Sequence, residues 1–95
     1  MARYVTLLKF TSQGARALKR SPARAAAFRK AAERVGVKVE ALLWTVGAYD
    51  GLLLLNARDE KAALRCLTQL ASAGFVRTES LQAFDAEEFQ AIVGK

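Results

Sequence analysis

Four consecutive leucines, Leu52 to Leu55, constrain this chain more than any other feature. Successive side chains of a strand point to opposite faces, so two of these leucines face one side of a sheet and two the other. Leu7-Leu8 and Leu42-Leu43 repeat the pattern. An antiparallel sheet with one solvated face alternates apolar and polar residues instead. Both faces of this sheet are therefore expected to be covered, and sheet-to-sheet homodimerisation is the economical way to cover the second.

The leucine run follows Gly47-Ala48-Tyr49-Asp50-Gly51, a turn by composition, and before it Val37 to Val46 reads as a strand. A short turn between two strands makes an antiparallel hairpin. Upstream, Arg3 to Phe10 is rich in β-branched and aromatic residues and reads as a strand. Thr11 to Arg20 reads as a loop with one helical turn, broken at Gly14. Ser21-Pro22 signals a helix start, with Ser21 as the cap and the stop at Gly36. Downstream, Asp59 caps a helix that reaches about Ala73, with Ala63, Leu64, Leu67, Leu70 and Ala71 inward and Cys66 at the margin. Val76 to Phe84 is a fourth strand. Asp85-Ala86-Glu87-Glu88 has the capping-box form for a short last helix.

The order is two strand–helix–strand halves joined by the hairpin, with a terminal helix added. That is an α+β, ferredoxin-like βαββαβ plan, with the first and third strands central and the helices on one side of the sheet. The 95 residues suit a single domain spanning 1–95.

Composition excludes several chemistries. Histidine is absent, which removes Ser-His-Asp and Cys-His catalysis and imidazole-bound metals. No phosphate loop, dinucleotide fingerprint or metal-ligand spacing is present, so neither a metal site nor a cofactor is expected. The single cysteine, Cys66, permits no internal disulfide and fits a reducing, cytoplasmic setting. The apolar tract from Ala41 to Ala57 is cut by Gly47, Asp50 and Gly51, so no membrane span is expected.

Trp44-Thr45-Val46-Gly47-Ala48-Tyr49-Asp50 resembles the signature of the GYD domain family, bacterial proteins named for a Gly-x-Tyr-Asp hairpin. The resemblance extends through Thr11 to Leu18, Ser21-Pro22-Ala23-Arg24 and Val76 to Phe84. It implies the dimeric α+β barrel, in which two ferredoxin-like sheets face each other. It implies no catalytic residues, and a shared fold does not choose among the monooxygenases, haem-handling enzymes and ligand-binding modules built on related barrels.

The candidate site residues gather around the hairpin. Tyr49 offers a hydroxyl at a pocket mouth, and Asp50 either a carboxylate base or a turn acceptor. Trp44 walls a pocket or buries its ring in the core. Arg77 and Glu79 share a face of the fourth strand, as an anion site and a proton carrier or as an ion pair. Tyr4 lies in a central strand, with packing or a pocket as its roles.

Three functions follow. A homodimer, with higher assembly open, binds an unknown small molecule between sheet and helices near Tyr49, Trp44, Arg77 and Tyr4. Alternatively, Asp50 or Glu79 serves as the base of a cofactor-independent oxygenase acting on an aromatic substrate. Thirdly, the basic first half, with Arg16, Lys19, Arg20, Arg24, Lys30 and Arg34, attracts polyanions. Residues 1–38 carry ten Lys or Arg against one acid, and the remainder five against eight. The first helix spreads its basic residues around its axis without aromatic platforms. Specific nucleic-acid recognition is therefore not expected. Filter binding across a salt series should show weak, sequence-independent retention that falls steeply with salt, and tight discrimination between sequences near physiological salt would refute this.

Overall fold

The computed structural model describes residues 1–94. Four strands and four helices follow the order β1 (Ala2–Phe10), α1 (Ser12–Arg16), α2 (Ser21–Arg34), β2 (Val37–Trp44), β3 (Gly51–Ala57), α3 (Glu60–Ser72), β4 (Val76–Ala83) and α4 (Ala86–Val93). The sheet is antiparallel with strand order β2-β3-β1-β4, so β1 and β3 are central, as in a ferredoxin-like fold.

Leu53 and Leu55 of β3 are almost wholly sealed from water, at 1% and 0% exposure. They pack with Val37, Val39, Ala57, Ala32 of α2, and Ala62, Ala63 and Cys66 of α3. Each buried leucine side chain is worth about 1.5–3 kcal/mol. In register with them, Tyr4, Thr6 and Leu8 of β1 lie on the helix side, and Val5 and Leu7 on the open side. Thr6 is buried and satisfied, its hydroxyl sharing a 2.9 Å hydrogen bond with the Ser80 hydroxyl of β4.

A β-bulge between Val39 and Ala41 changes the alternation of β2. Val37 and Val39 face the helices; beyond the extra residue, Glu40, the helix side passes to Leu42 and Trp44 and the open side to Ala41 and Leu43. Pattern reading alone does not reveal this switch, because a bulge leaves no gap in the sequence.

Three local expectations are corrected. Ser21 is not the α2 cap: Leu18–Arg20 forms a 3₁₀ turn running directly into the helix, Ser21 is already helical, and the cap position is Arg20 with no side-chain bond. The inward face of α3 is centred on Ala62, Ala63 and Cys66, whereas Leu64 is 64% exposed. Small side chains let α3 lie close to the sheet, so the larger Leu64 turns outward. Burial pushes the Cys66 thiol up to about 11, which keeps it protonated and poorly nucleophilic at neutral pH. Its contribution to stability is full below the ordinary value of 9.0 and is lost as pH rises through about 11.

Gly14 does not break a helix but sits inside α1. Thr11 caps α1 through its hydroxyl, which accepts from the Gly14 N–H and donates to the Gly74 carbonyl, while the Thr11 N–H donates to the Phe75 carbonyl. A methyl group at Gly14 would collide with that same Phe75 carbonyl oxygen. Asp59 and Asp85 cap α3 and α4 as their sequences suggest, the latter through a complete capping box with Glu88. The Ala62 N–H chiefly holds the Asp59 carboxyl below its ordinary value of 3.8. That cap is fully present above pH 3.8 and weakens as pH falls through the depressed value.

Because backbone rather than a flexible side chain meets the added carbon, Gly14→Ala should destabilise by about 1–3 kcal/mol, the usual cost of overpacking. Urea unfolding checks this. A midpoint equal to the parent's would show that α1 is free to move off Phe75.

Candidate functional site

The hairpin between β2 and β3 is held from both sides. Thr45 N–H donates to the Asp50 carbonyl at 2.9 Å, and the Thr45 hydroxyl donates to the Tyr49 carbonyl at 2.6 Å. Gly47 takes φ 144°, in the region favouring glycine. Asp50 then continues the ladder beside β1: its N–H donates to the Leu8 carbonyl at 2.8 Å, and its carboxylate accepts the Phe10 N–H at 2.8 Å. The side chain thus replaces a missing strand partner.

Beside this turn, α2, α3 and the helix side of the sheet border a half-open cavity of about 380 Å³. Its walls are mainly apolar, with Leu42, Leu53 and Trp44 from the sheet, Phe28 from α2, and Leu70 from α3 among them. Trp44 is half exposed, and its indole Nε1–H donates to the Ser21 hydroxyl at 3.0 Å, tying the end of β2 to the start of α2. The Ser21 hydroxyl, already inside α2, thus serves the end of β2 rather than a helix cap. The charged groups lining the cavity are Arg24 and Asp50.

The opposite face of the sheet is open. There Tyr49 reaches across β1, its hydroxyl donating to Glu79 Oε1 of β4 at 3.1 Å, with the Lys9 ammonium 5.7 Å from its ring centroid. Glu79 raises the Tyr49 phenol above its ordinary value of 10.0, so it acts as a donor at neutral pH. The contribution of this tie is full below pH 10 and disappears as pH rises through the raised value. Arg77 lies in register with Lys9 on this same face. Val5, Leu7, Leu43, Leu52, Leu54 and Leu81 form its apolar part, Leu43 and Leu81 being about half exposed. Below it α4 is anchored by Arg3, which bonds Glu88 at 2.8 Å, while Phe89, Ile92 and Val93 remain more than half exposed.

The structure therefore divides the residues expected around one pocket. Trp44 and Asp50 line the cavity; Tyr49, Arg77 and Glu79 form a cluster on the other side of the sheet; Tyr4 packs against the core and lies outside the cavity lining. Arg24, grouped in the sequence with the basic surface, turns inward instead. Its guanidinium stacks 4.2 Å from the Phe75 ring centroid, and Nη1 donates to the Ala17 carbonyl at 2.9 Å. The Ser21 to Arg24 segment was visible in the sequence, but nothing in helical periodicity distinguishes an arginine folded over an aromatic ring from a solvated one. No helix among the described residues is long and apolar enough to cross a membrane.

Residues 4–93 match the family described as GYD domain. The chain is 33% identical over 84 residues to a Thermus thermophilus protein named glutamine synthetase and cystathionine beta-lyase binding protein, covering 87% of this chain and 88% of that one. A crystal structure of a Thermus thermophilus protein superposes with a TM-score of 0.57 at 25% identity, covering 90% of this chain and 96% of the other.

Asp50→Asn should unfold close to the parent, because the amide oxygen still accepts from Phe10. Asp50→Ala leaves that part-buried N–H unpaired and should cost about 1–3 kcal/mol. Thermal melts of both variants check this, and equal losses would place the role of Asp50 in its charge rather than in its hydrogen bond.

Proposed function

The chain belongs to the GYD domain family, and on that footing we propose that it is a homodimeric binding protein that holds an apolar small molecule between its sheet and helices α2 and α3. The observation carrying this reading is the cavity of about 380 Å³, within the size range of small-molecule sites and walled mainly by apolar side chains. The oxygenase alternative receives less support from the geometry. Asp50 spends a carboxylate oxygen on Phe10, and Glu79 lies across the sheet from the cavity, bonded to Tyr49.

The dimer rests on the open face. Its leucines and valine, bordered by the exposed Phe89, Ile92 and Val93 of α4, form the kind of surface a second copy covers, and a stable interface buries more than about 1,000 Å² in total. The Lys9–Tyr49–Glu79 cluster and Arg77 would then stand at the polar rim. A second reading is favoured by the relative named for binding glutamine synthetase and cystathionine beta-lyase: this chain would likewise take an enzyme as partner.

Trp44 is the single tryptophan and stands in the cavity wall, so its emission reports on occupancy. Titration with anilinonaphthalene sulfonate should shift that emission saturably at native temperature, and no change would overturn the ligand reading. Sedimentation at micromolar concentration should give twice the 10.3 kDa chain mass; a species of 10.3 kDa alone would overturn the dimer. Co-sedimentation with purified glutamine synthetase or cystathionine beta-lyase tests the second reading, and separate boundaries for both enzymes would overturn it.

A further inference from the structure

Helix α4 is too short to stand alone. It has eight residues, and isolated helices shorter than about 12–15 residues are marginal in water. Its capping box and the bond from Arg3 to Glu88 fix only the first turn. No residue of α4 is buried, and Phe89, Ile92 and Val93, spaced to share one face, form a largely uncovered apolar stripe. The open sheet face next to it carries a charge excess of opposite sign at its two ends. At the hairpin end Lys9 and Arg77 lie in register, and neither forms an ion pair among the described residues. The acid beside them, Glu79, accepts from Tyr49. At the α4 end a single cation, Arg3, serves two acids, Asp85 and Glu88, whose side chains stay 53% and 44% exposed. Both acids border the apolar stripe, whereas Glu87 lies on the opposite side of the helix.

Resting on the reading of the open face as a homodimer interface, we propose that the second copy lies head to tail on it, with α4 of each subunit over the hairpin end of the other. A two-fold axis running across the strands between the two sheets produces this arrangement. The same axis keeps the β4 edges of the two sheets on one side, so the helix that leaves β4 arrives where Lys9 and Arg77 stand. Phe89, Ile92 and Val93 close over the apolar part of the opposing face, while Asp85 and Glu88 meet the partner subunit's Lys9 and the partner subunit's Arg77. The complement of each end is the other end of the same surface, which selects a second copy of this chain over an unrelated protein. A head-to-head pairing would set Lys9 and Arg77 against their own copies, opposing like charges. It would also leave the two acid-rich ends together.

Cross-linking reads the orientation. Arg77→Cys and Ile92→Cys alter exposed positions, whereas the native Cys66 is buried and protonated at neutral pH. The two variants, co-expressed and treated with a short bismaleimide, should give the mixed covalent dimer, identified by its mass, as the main product. Phe89→Ala spares the core, since α4 has no buried residue, and should raise the dimer dissociation constant at least about tenfold, the scale of truncating an interface anchor. Self-linked Arg77→Cys as the main product would overturn the head-to-tail arrangement while the dimer stands. An unchanged dissociation constant for Phe89→Ala would remove α4 from the interface and overturn the arrangement in the same way. So would the absence of any covalent dimer from protein that sediments as a dimer. A 10.3 kDa species alone would overturn the dimer and its arrangement together.

Discussion

The burial of Leu53 and Leu55 is the constraint on which the other elements depend. They occupy a strand hydrogen-bonded on both sides, and almost no water reaches them. Once they face the helices, the side-chain period of two assigns every residue of the neighbouring strands to a face. Leu52 and Leu54 must then emerge on the open side, with Leu7 and Val5 in register beside them. A slip of one residue would drive Arg3 and Asn56 into the helix-side core, so register and core composition enforce each other.

This coupling made the strand order legible from residues alone. Four leucines demanded a central strand, while the polar Arg77, Thr78, Glu79, Ser80 and Gln82 suited an edge. The caps at Asp59 and Asp85 were legible for a different reason: the chemistry is local, a side-chain oxygen meeting the exposed N–H groups of the first helical turn. Ser21 has the same local signal and a different outcome. The preceding 3₁₀ turn satisfies the chain geometry, and the hydroxyl accepts from Trp44, a partner 23 residues away in sequence.

The site was less legible than the fold because its geometry depends on small departures from regularity. Glu40 is the clearest case. Removing one residue from the alternation of β2 decides that Trp44 faces the cavity along with Leu42. Arg24 is another. In a chain rich in alanine and arginine it looks like one more solvated cation, yet the small side chains beside it in α2 leave its long stem room to fold back over Phe75. The face of α3 shifts for a related reason: with Ala62, Ala63 and Cys66 inward, close approach to the sheet outweighs the extra apolar area Leu64 would have contributed.

The same physical logic separates Tyr49 from Asp50. Neighbours in sequence, they occupy opposite sides of the sheet as the chain straightens into β3, Asp50 bonded to Phe10 beside the cavity and Tyr49 bonded to Glu79 over the open face. A shared Gly-x-Tyr-Asp motif therefore does not make a shared site. Each side chain fastens the hairpin to a different strand: Asp50 to β1, and Tyr49 over β1 to β4. Gly47, free to adopt φ 144°, turns the chain so that both reach their strands. The turn thereby borders two surfaces at once, the cavity wall on one side and the apolar sheet face on the other. Its paired residues are explained by that double attachment before any chemistry is assigned to either.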